Sequence, residues 1–326
     1  MPVSEFDIIR RYFEHHGPTR GDVALGIGDD AALLVPPAGQ QLAVSVDTLV
    51  AGVHFPVQTA PEAIGHKSLA VNLSDLAAMG AEPSWATLAL TLPTADEAWL
   101  AAFCAGFFAL AREYGVALVG GDTTHGPLSI TVQIMGFVPP GQALTRAGAK
   151  PGDGVFVTGT LGDAGAGLRV VQGTLTTSTI IADQFKARLD RPTPRVAAGL
   201  ALRGLANAAI DISDGLAADL GHILDASGVG AELELAKLPL SDALQHCGLP
   251  EPWRLAASAG DDYELCFTLP PEKEAEALAR LSALGCPATR VGTITAEPGL
   301  RCRNAEGKVV TLAGTGYDHF AGDPRG

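Results

Sequence analysis

The sequence predicts an α/β fold of mixed α+β character, arranged in two domains. Three observations predict it. The chain has 326 residues, against a typical domain of about 150. Short apolar or alternating runs take turns with long helical patterns from one end to the other. A turn-rich link, Pro139-Pro140-Gly141 followed by Lys150-Pro151-Gly152-Asp153, interrupts them near the middle. The boundaries this suggests are residues 1–141 and 142–320, with a frayed tail at 321–326. Hydrophobic residues make up 47% of the chain and charged residues 18%, enough apolar surface for a full core and too little charge for bulk disorder.

Ser4 to Phe13 is expected to be a short amphipathic helix, with Ser4 as its N-cap and Gly17-Pro18 beyond its end. Val23 to Gly28 and Leu42 to Leu49 read as strands. Pro61 to Gly80 carries a long helical pattern that Gly80 can close, with Pro83 after it. Ser84 to Leu92 is a strand. Thr94 to Tyr114 is a helix opened by Thr94 with Glu97 three residues on, the pattern of a capping box. Val116 to Val119 and Ser129 to Val138 are strands. In the second half, strand Gly154 to Thr158 precedes helical segments that reach about Gly204. Strand Ala208 to Ile212, helix Gly215 to Ser227 and strands Ala231 to Leu235 and Tyr263 to Leu269 follow. Helix Pro271 to Leu284 and a final strand near Val291 close the domain.

The 22 Lys and Arg against 36 Asp and Glu leave a formal net charge of −14. Nucleic acid and anionic membrane both need clustered cations, so neither is the main partner. No run of about 18 apolar residues is present, so no membrane span is expected. Residues Met1 to Asp7 lack the basic and apolar regions of a signal peptide. The five cysteines are scattered and never spaced C-x-x-C, which argues against zinc and a disulfide framework and for a reducing, cytoplasmic setting.

The placement of the acids is more informative than their number. Asp29 and Asp30 end the run Val23 to Gly28. Asp47 interrupts Leu42 to Leu49, and Asp75 lies within Leu69 to Met79. Asp122 follows Ala117 to Gly121. Asp211 and Asp214 follow Ala208 to Ile210, and Asp261 and Asp262 precede Tyr263 to Phe267. A carboxylate beside a core is costly unless it is paired or binds metal, and few Lys or Arg lie near these positions. Asp oxygens with Ser or Thr hydroxyls are hard ligands that suit Mg²⁺, whose usual partners are phosphates. Any one of these aspartates can equally be a helix cap or turn residue; Asp214, just before a helix, is the clearest such case.

Gly26-Ile27-Gly28-Asp29-Asp30-Ala31 fits G-x-G-x-x-A, but Pro36-Pro37 stops any helix begun at Ala31, so a dinucleotide fingerprint is rejected. No P-loop is present. Thr158 to Gly167, between a strand and a helix, offers backbone N–H groups that can cradle a phosphate; it is equally a βα turn of small residues. Lys67 lies two turns before Asp75 on one helix face. Arg146, on the interdomain link, can clamp a phosphate bidentately or stand as a surface Arg. His54 is a ligand contact or a turn histidine.

Seven segments in order carry a resemblance that spans almost the whole chain: Ile27 to Ala32, Ser45 to Phe55, Asn72 to Pro83, Gly120 to Thr123, Leu144 to Arg146, Ile212 to Gly215 and Gly316 to Phe320. Together they resemble the thiamine-monophosphate kinases, within the aminoimidazole-ribonucleotide-synthetase-like superfamily of ATP-using enzymes. The resemblance implies the two-domain fold of that superfamily, with the N-terminal sheet forming a homodimer interface. It implies ATP-dependent phosphorylation of thiamine monophosphate to thiamine diphosphate, with several Mg²⁺ ions. By the family pattern Asp30, Ser45, Asp47, Asp75, Asp122, Asp211 and Asp214 fall at Mg²⁺ positions. Gly121, Asp122, Arg146 and Ser213 fall at nucleotide positions, and His54, Asp261 and Tyr317 at thiamine-phosphate positions. Two residues depart from the family: Asp261 stands where Glu is usual, one methylene shorter, and Val46 where Thr is frequent.

That chemistry has the substrate phosphate attacking the γ-phosphorus of ATP in line, so no protein nucleophile or strong base is required, and Arg146 adds fixed positive charge. The alternatives are another ATP-using enzyme of the superfamily, a non-catalytic Mg·ATP sensor, and a metal-dependent phosphohydrolase. Selenophosphate synthesis typically uses an N-terminal Cys and hydrogenase maturation a C-terminal one; the first and last here are Cys104 and Cys302.

Overall fold

The computed structural model describes residues 4–14 and 16–312, which divide into two compact units. The first holds the described residues up to Ala143 together with Asp190–Leu200, and the second holds Leu144–Leu189 with the described residues from Ala201 onward. The division therefore falls two residues beyond the sequence boundary, and a segment from the second half of the chain packs into the first unit.

The first unit opens with helix α1 (Glu5–Ile8), which runs directly into a π-helical turn at Ile9–Phe13. Ser4 caps it as expected: its hydroxyl accepts from the Asp7 N–H at 3.2 Å. Strands β1 (Val23–Leu25) and β2 (Leu33–Leu34) form a small antiparallel pair. Strand β1 stops three residues earlier than the apolar run suggested, because Gly26 to Asp30 turns away. Strand β3 (Gln41–Val50), helix α2 (Pro61–Ala78), strand β4 (Glu82–Leu92), helix α3 (Glu97–Glu113), strand β5 (Ala117–His125) and strand β6 (Ser129–Val138) follow. The four long strands make one sheet in the order β3-β6-β4-β5. Helix α3 is capped by Asp96, whose side chain accepts from the Ala98 and Trp99 N–H groups. This corrects the capping box expected at Thr94: the Asp carboxylate is already in place two residues later, and the helix starts there.

Helix α2 is buried on nearly every face. It lies against the sheet, against α3 and against the returning 190–200 segment. Glycines make the closest approach possible: a Cβ at Gly65 would sit 2.0 Å from the Phe103 carbonyl oxygen, and one at Gly106 1.9 Å from that of Glu62. Beneath the opposite face of the sheet, Trp85 meets Phe137 edge-on at 5.0 Å and donates its Nε1–H to Asp22 at 3.0 Å.

The second unit is built on a seven-stranded mixed sheet. The elements after β6, in chain order, are β7 (Gly154–Thr158), α4 (Asp163–Val171), α5 (Thr179–Asp190), α6 (Val196–Leu202, most of which belongs to the segment in the first unit), β8 (Ala208–Asp211), α7 (Leu216–Ser227), β9 (Gly230–Glu234), α8 (Asp242–Gln245), α9 (Trp253–Ser258), β10 (Leu265–Leu269), α10 (Pro271–Ala283), β11 (Ala288–Thr295), β12 (Gly299–Arg303) and β13 (Val309–Val310). The strand order is β13-β12-β9-β11-β7-β10-β8, with only β9 and β12 parallel. Every residue of β7 and β10 is buried, because helices and loops cover both faces at the centre of the sheet. Val155, Val157, Ile210, Leu220, Ile223 and Cys266 form its core. All five cysteines are unpaired and buried; burial pushes the Cys104 thiol up to about 12. Among the described residues no helix is long and apolar enough to cross a membrane.

Candidate functional site

The first unit gathers the predicted residues at two places. On the helix side of the sheet, β3 presents Ser45 and Asp47 and α2 presents Asp75. The Ser45 hydroxyl donates a short hydrogen bond to Asp75 Oδ2. Burial, and then the charge of Asp75 beside it, raises the Asp47 carboxyl from 3.8 to about 7. A half-buried carboxylate pair with a hydroxyl is a set of hard oxygen donors held together against its own repulsion, the arrangement a divalent cation relieves.

The second place is a cavity of about 830 Å³ on the other side. Gly26 to Ala32 lines one wall and Leu118 to Thr123 another; Phe6, Ile9, Arg10 and Phe13 close it. Asp29, Asp30 and Asp122 all reach it. Register explains the separation from Asp47. Asp47 is level with Val132, Leu88 and Gly121 in one row across the sheet, roughly 14 Å from end to end at about 4.8 Å per strand. Val132 and Leu88 are buried against the helices, so Asp47 shares their face. Thr123 is buried and pairs with buried Leu90; Asp122, one residue earlier, projects from the opposite face. Gly121 makes this possible. Its φ is 153°, and a Cβ there would lie 1.8 Å from the Leu88 carbonyl oxygen, so only glycine lets β5 approach β4 so closely.

His54 sits in the turn after β3, where its Nδ1 accepts the Val50 N–H at 3.0 Å. That leaves Nε2 to carry the proton of the neutral ring.

The remaining predicted residues belong to the second unit. Arg146 is exposed on a segment whose backbone is tied to Ser227 and Ala209. Asp211 is the buried last residue of β8, and Ser213 and Asp214 are half-buried in the turn that leads to α7. Asp261 is half-buried, and its N–H donates to the Ser213 carbonyl at 2.8 Å. The two turns are therefore one structure. Tyr317 lies outside the described residues, as does the segment 316–320.

Sequence reasoning passed over several residues that organise this region. Asp219 accepts the Asp214 and Gly215 N–H groups at 3.1 and 3.0 Å; burial and then the Asp214 charge push its carboxyl up to about 7. Its only signal was a charge on the apolar stretch Leu216 to Leu224. Glu264 is fully buried, where it receives the Thr158 hydroxyl at 2.7 Å and Arg188 at 3.1 Å. The Gly-rich loop spends three of its amides internally: the Gly159 and Leu161 N–H groups donate to the Pro287 and Pro239 carbonyls, each at 2.9 Å, and Gly162 N–H donates to Asp262 at 2.8 Å. These three bonds favour the packing-turn reading over the segment 159–162. Among the described residues no three His, Cys, Asp or Glu gather around a point that could hold a metal; the acids stand in pairs.

Two family profiles match the chain in order: the AIR synthase related protein N-terminal domain over residues 28–138, and the corresponding C-terminal domain over 150–303. A thiamine-monophosphate kinase of Escherichia coli (strain K12) is 54% identical, over 98% of this chain and 99% of its own length. The crystal structure of thiamine-monophosphate kinase from Stenotrophomonas maltophilia K279a is 51% identical, with a TM-score of 0.83, covering 89% of this chain and 93% of that one. A solved AaThiL complexed with AMPPCP and TMP is 34% identical, with a TM-score of 0.78, over 90% of this chain and 92% of that one.

Proposed function

With the chain a member of the AIR synthase related family and, within it, of the thiamine-monophosphate kinases, we propose a division of labour among its site residues. The enzyme phosphorylates thiamine monophosphate at the expense of ATP. The observation that carries the site assignment is the cavity that brings Gly26 to Ala32 and Gly120 to Thr123 together. Phe6, Ile9 and Phe13 offer it an apolar wall that suits a purine base, and the small residues Gly120 and Gly121 let backbone approach phosphate. Asp30 and Asp122 face this space; Ser45, Asp47 and Asp75 form the second oxygen set.

These carboxylates fit magnesium, because the Asp47–Asp75 pair is strained by like charge and offers only hard donors. Asp30, Ser45, Asp47, Asp75, Asp122, Asp211 and Asp214 are the residues that would hold several Mg²⁺ ions. Mg²⁺ held there would supply positive charge to offset the two polyanions and the transferring group. Arg146, with Ser213 and Gly121, orients the nucleotide, and its guanidinium adds positive charge. His54, Asp261 and Tyr317 hold the thiamine phosphate. Because a phosphate oxygen is already ionised near neutral pH, none of these residues needs to act as a base.

A second copy of the chain fits the edge of the first unit. Strand β3 is an edge strand of ten residues, and its outer face shows Leu42, Val44 and Val46 at 46%, 51% and 57% exposure. A long apolar edge of this kind is normally covered, and pairing across it is the homodimer reading. A cytoplasmic setting agrees with five unpaired thiols.

The test is a coupled ADP assay with thiamine, thiamine monophosphate, aminoimidazole precursors and selenide as acceptors. ADP release that requires thiamine monophosphate is expected. Turnover with thiamine but not its monophosphate refutes the substrate, and ATP binding without turnover favours the sensor.

A further inference from the structure

Asp262 is 2% exposed. Its Oδ2 accepts the Gly162 N–H at 2.8 Å, while its Oδ1 is buried with no hydrogen-bond partner. An orphaned carboxyl oxygen in a core is costly, and an apolar side chain would avoid the cost. The residues on either side are the only non-glycine residues at positive φ among those described: Asp261 at 70° and Tyr263 at 50°. Strained backbone persists only where its surroundings over-determine it.

The surroundings do so from two directions. On one side the turn is stitched to the Ile212–Asp214 turn. Asp261 N–H and Tyr263 N–H donate to the Ser213 and Ile212 carbonyls, and Ile212 N–H donates to that of Glu264, all at 2.8 Å. The fit is close enough that a Cβ at Gly260 would lie 2.3 Å from the Ser213 carbonyl oxygen. On the other side the turn is bolted to the Gly-rich loop. Asp262 holds Gly162, and Glu264 holds the Thr158 hydroxyl, which in turn accepts the Leu265 N–H at 2.8 Å. A Cβ at Gly159 would come within 2.3 Å of Glu264 Oε1, and one at Gly162 within 2.6 Å of the Ala256 nitrogen. Gly159 thus leaves room for the Glu264 carboxyl, and Gly162 lets the loop approach the Ala256 backbone while its N–H reaches Asp262.

We infer that Asp262 is a positioning residue for thiamine monophosphate: by locking the Gly-rich loop to the strained 261–263 turn, it holds Asp261 against Ser213 and Asp214 in the conformation that meets the substrate. The inference rests on the reading of Asp261 as a substrate contact. It gives the Gly-rich loop a task in substrate recognition without any phosphate on its amides. The raised carboxyl of Asp262, which burial pushes well above the usual carboxylate range, agrees with a neutral group that an amide can imitate.

The experiment compares Asp262→Ala, Asp262→Asn and Asp261→Ala in steady-state kinetics with each substrate varied in turn. Asp262→Ala should raise KM for thiamine monophosphate about ten-fold while KM for ATP stays within about two-fold, and Asp262→Asn should restore the thiamine monophosphate KM. Asp261→Ala should reproduce the Asp262→Ala effect. No change in Asp261→Ala overturns the substrate contact itself. A rise in Asp261→Ala with none in Asp262→Ala, or equal rises for both substrates, overturns the positioning role alone. If Asp262→Ala does not fold, hydrogen exchange on the unmodified protein decides: thiamine monophosphate should slow exchange at the Gly162 amide together with those of Asp261 and Tyr263, and unchanged exchange at Gly162 overturns the inference.

Discussion

Replacing Asp47 by Asn should make the metal-free protein more stable and the enzyme nearly inactive. Burial and the neighbouring Asp75 charge move the Asp47 carboxyl from 3.8 to about 7. At about 1.36 kcal/mol for each tenfold change in proton affinity, this is at most about 4 kcal/mol of penalty on ionised Asp47. Relaxation and water reaching a half-buried pair reduce the expected gain on substitution to about 2 kcal/mol. For a unit of this size that is about 4–8 °C in Tm. The sign follows from proton binding. The folded state holds the Asp47 proton more tightly than the unfolded chain, so this contribution is fully present below pH 4 and is lost as pH rises toward 7. The Asn variant has no such loss. Thermal melts in EDTA at pH 4 and pH 8 should therefore show a small difference at the lower pH and the full gain at the higher. Added Mg²⁺ should raise the Tm of the parent protein more than that of the variant. A variant less stable than the parent at pH 8, or a gain equal at both pH values, would refute the carboxylate-pair argument. Wild-type-like turnover at moderate Mg²⁺ would remove Asp47 from the metal set.

Three further outcomes are expected. Asp122→Asn should keep its far-ultraviolet circular dichroism and Tm, because the side chain is exposed, yet lose most turnover in the ADP assay. Gly121→Ala should cost about 2–4 kcal/mol in chemical denaturation, since the new methyl meets the Leu88 carbonyl at a backbone angle that L-residues avoid. Val44→Glu, on the exposed face of β3, should leave the fold intact and shift the mass measured by light scattering from dimer to monomer; an unchanged mass places the subunit contact elsewhere.

Much of the secondary structure was legible because its causes are local. The alternation from Leu42 to Leu49 produced β3 (Gln41–Val50), and the helical pattern from Pro61 to Gly80 produced α2 (Pro61–Ala78), both within two residues of their actual limits. Ser4 capped α1 because an Ser-to-Asp7 contact spans only three residues. The short pieces escaped: α8 and α9 have four and six residues, too few for a helical period to show, and β12 and β13 have strand patterns that only a partner completes. Thr94 misled because a capping box is one of several ways to satisfy the same N–H groups, and Asp96 satisfied them first.

The acids at strand ends were visible as anomalies of composition, and that alone pointed to cations and phosphate. Which acids meet was not visible. Asp47 and Asp75 are joined by the packing of α2 on β3, and Asp47 and Asp122 are parted by a register that puts them on opposite faces of one sheet. The Gly-rich loop shows the limit most clearly. Its sequence allowed a phosphate cradle or a packing turn, since both need small residues and positive φ; the fold shows that the Gly159, Leu161 and Gly162 N–H groups go to Pro287, Pro239 and Asp262. The sequence determined what chemistry the chain can do, because residue type and local spacing fix donors, charges and periodicity. The tertiary structure decided which groups do it together, because pairing and burial depend on contacts between segments far apart in the chain, and no local pattern encodes them.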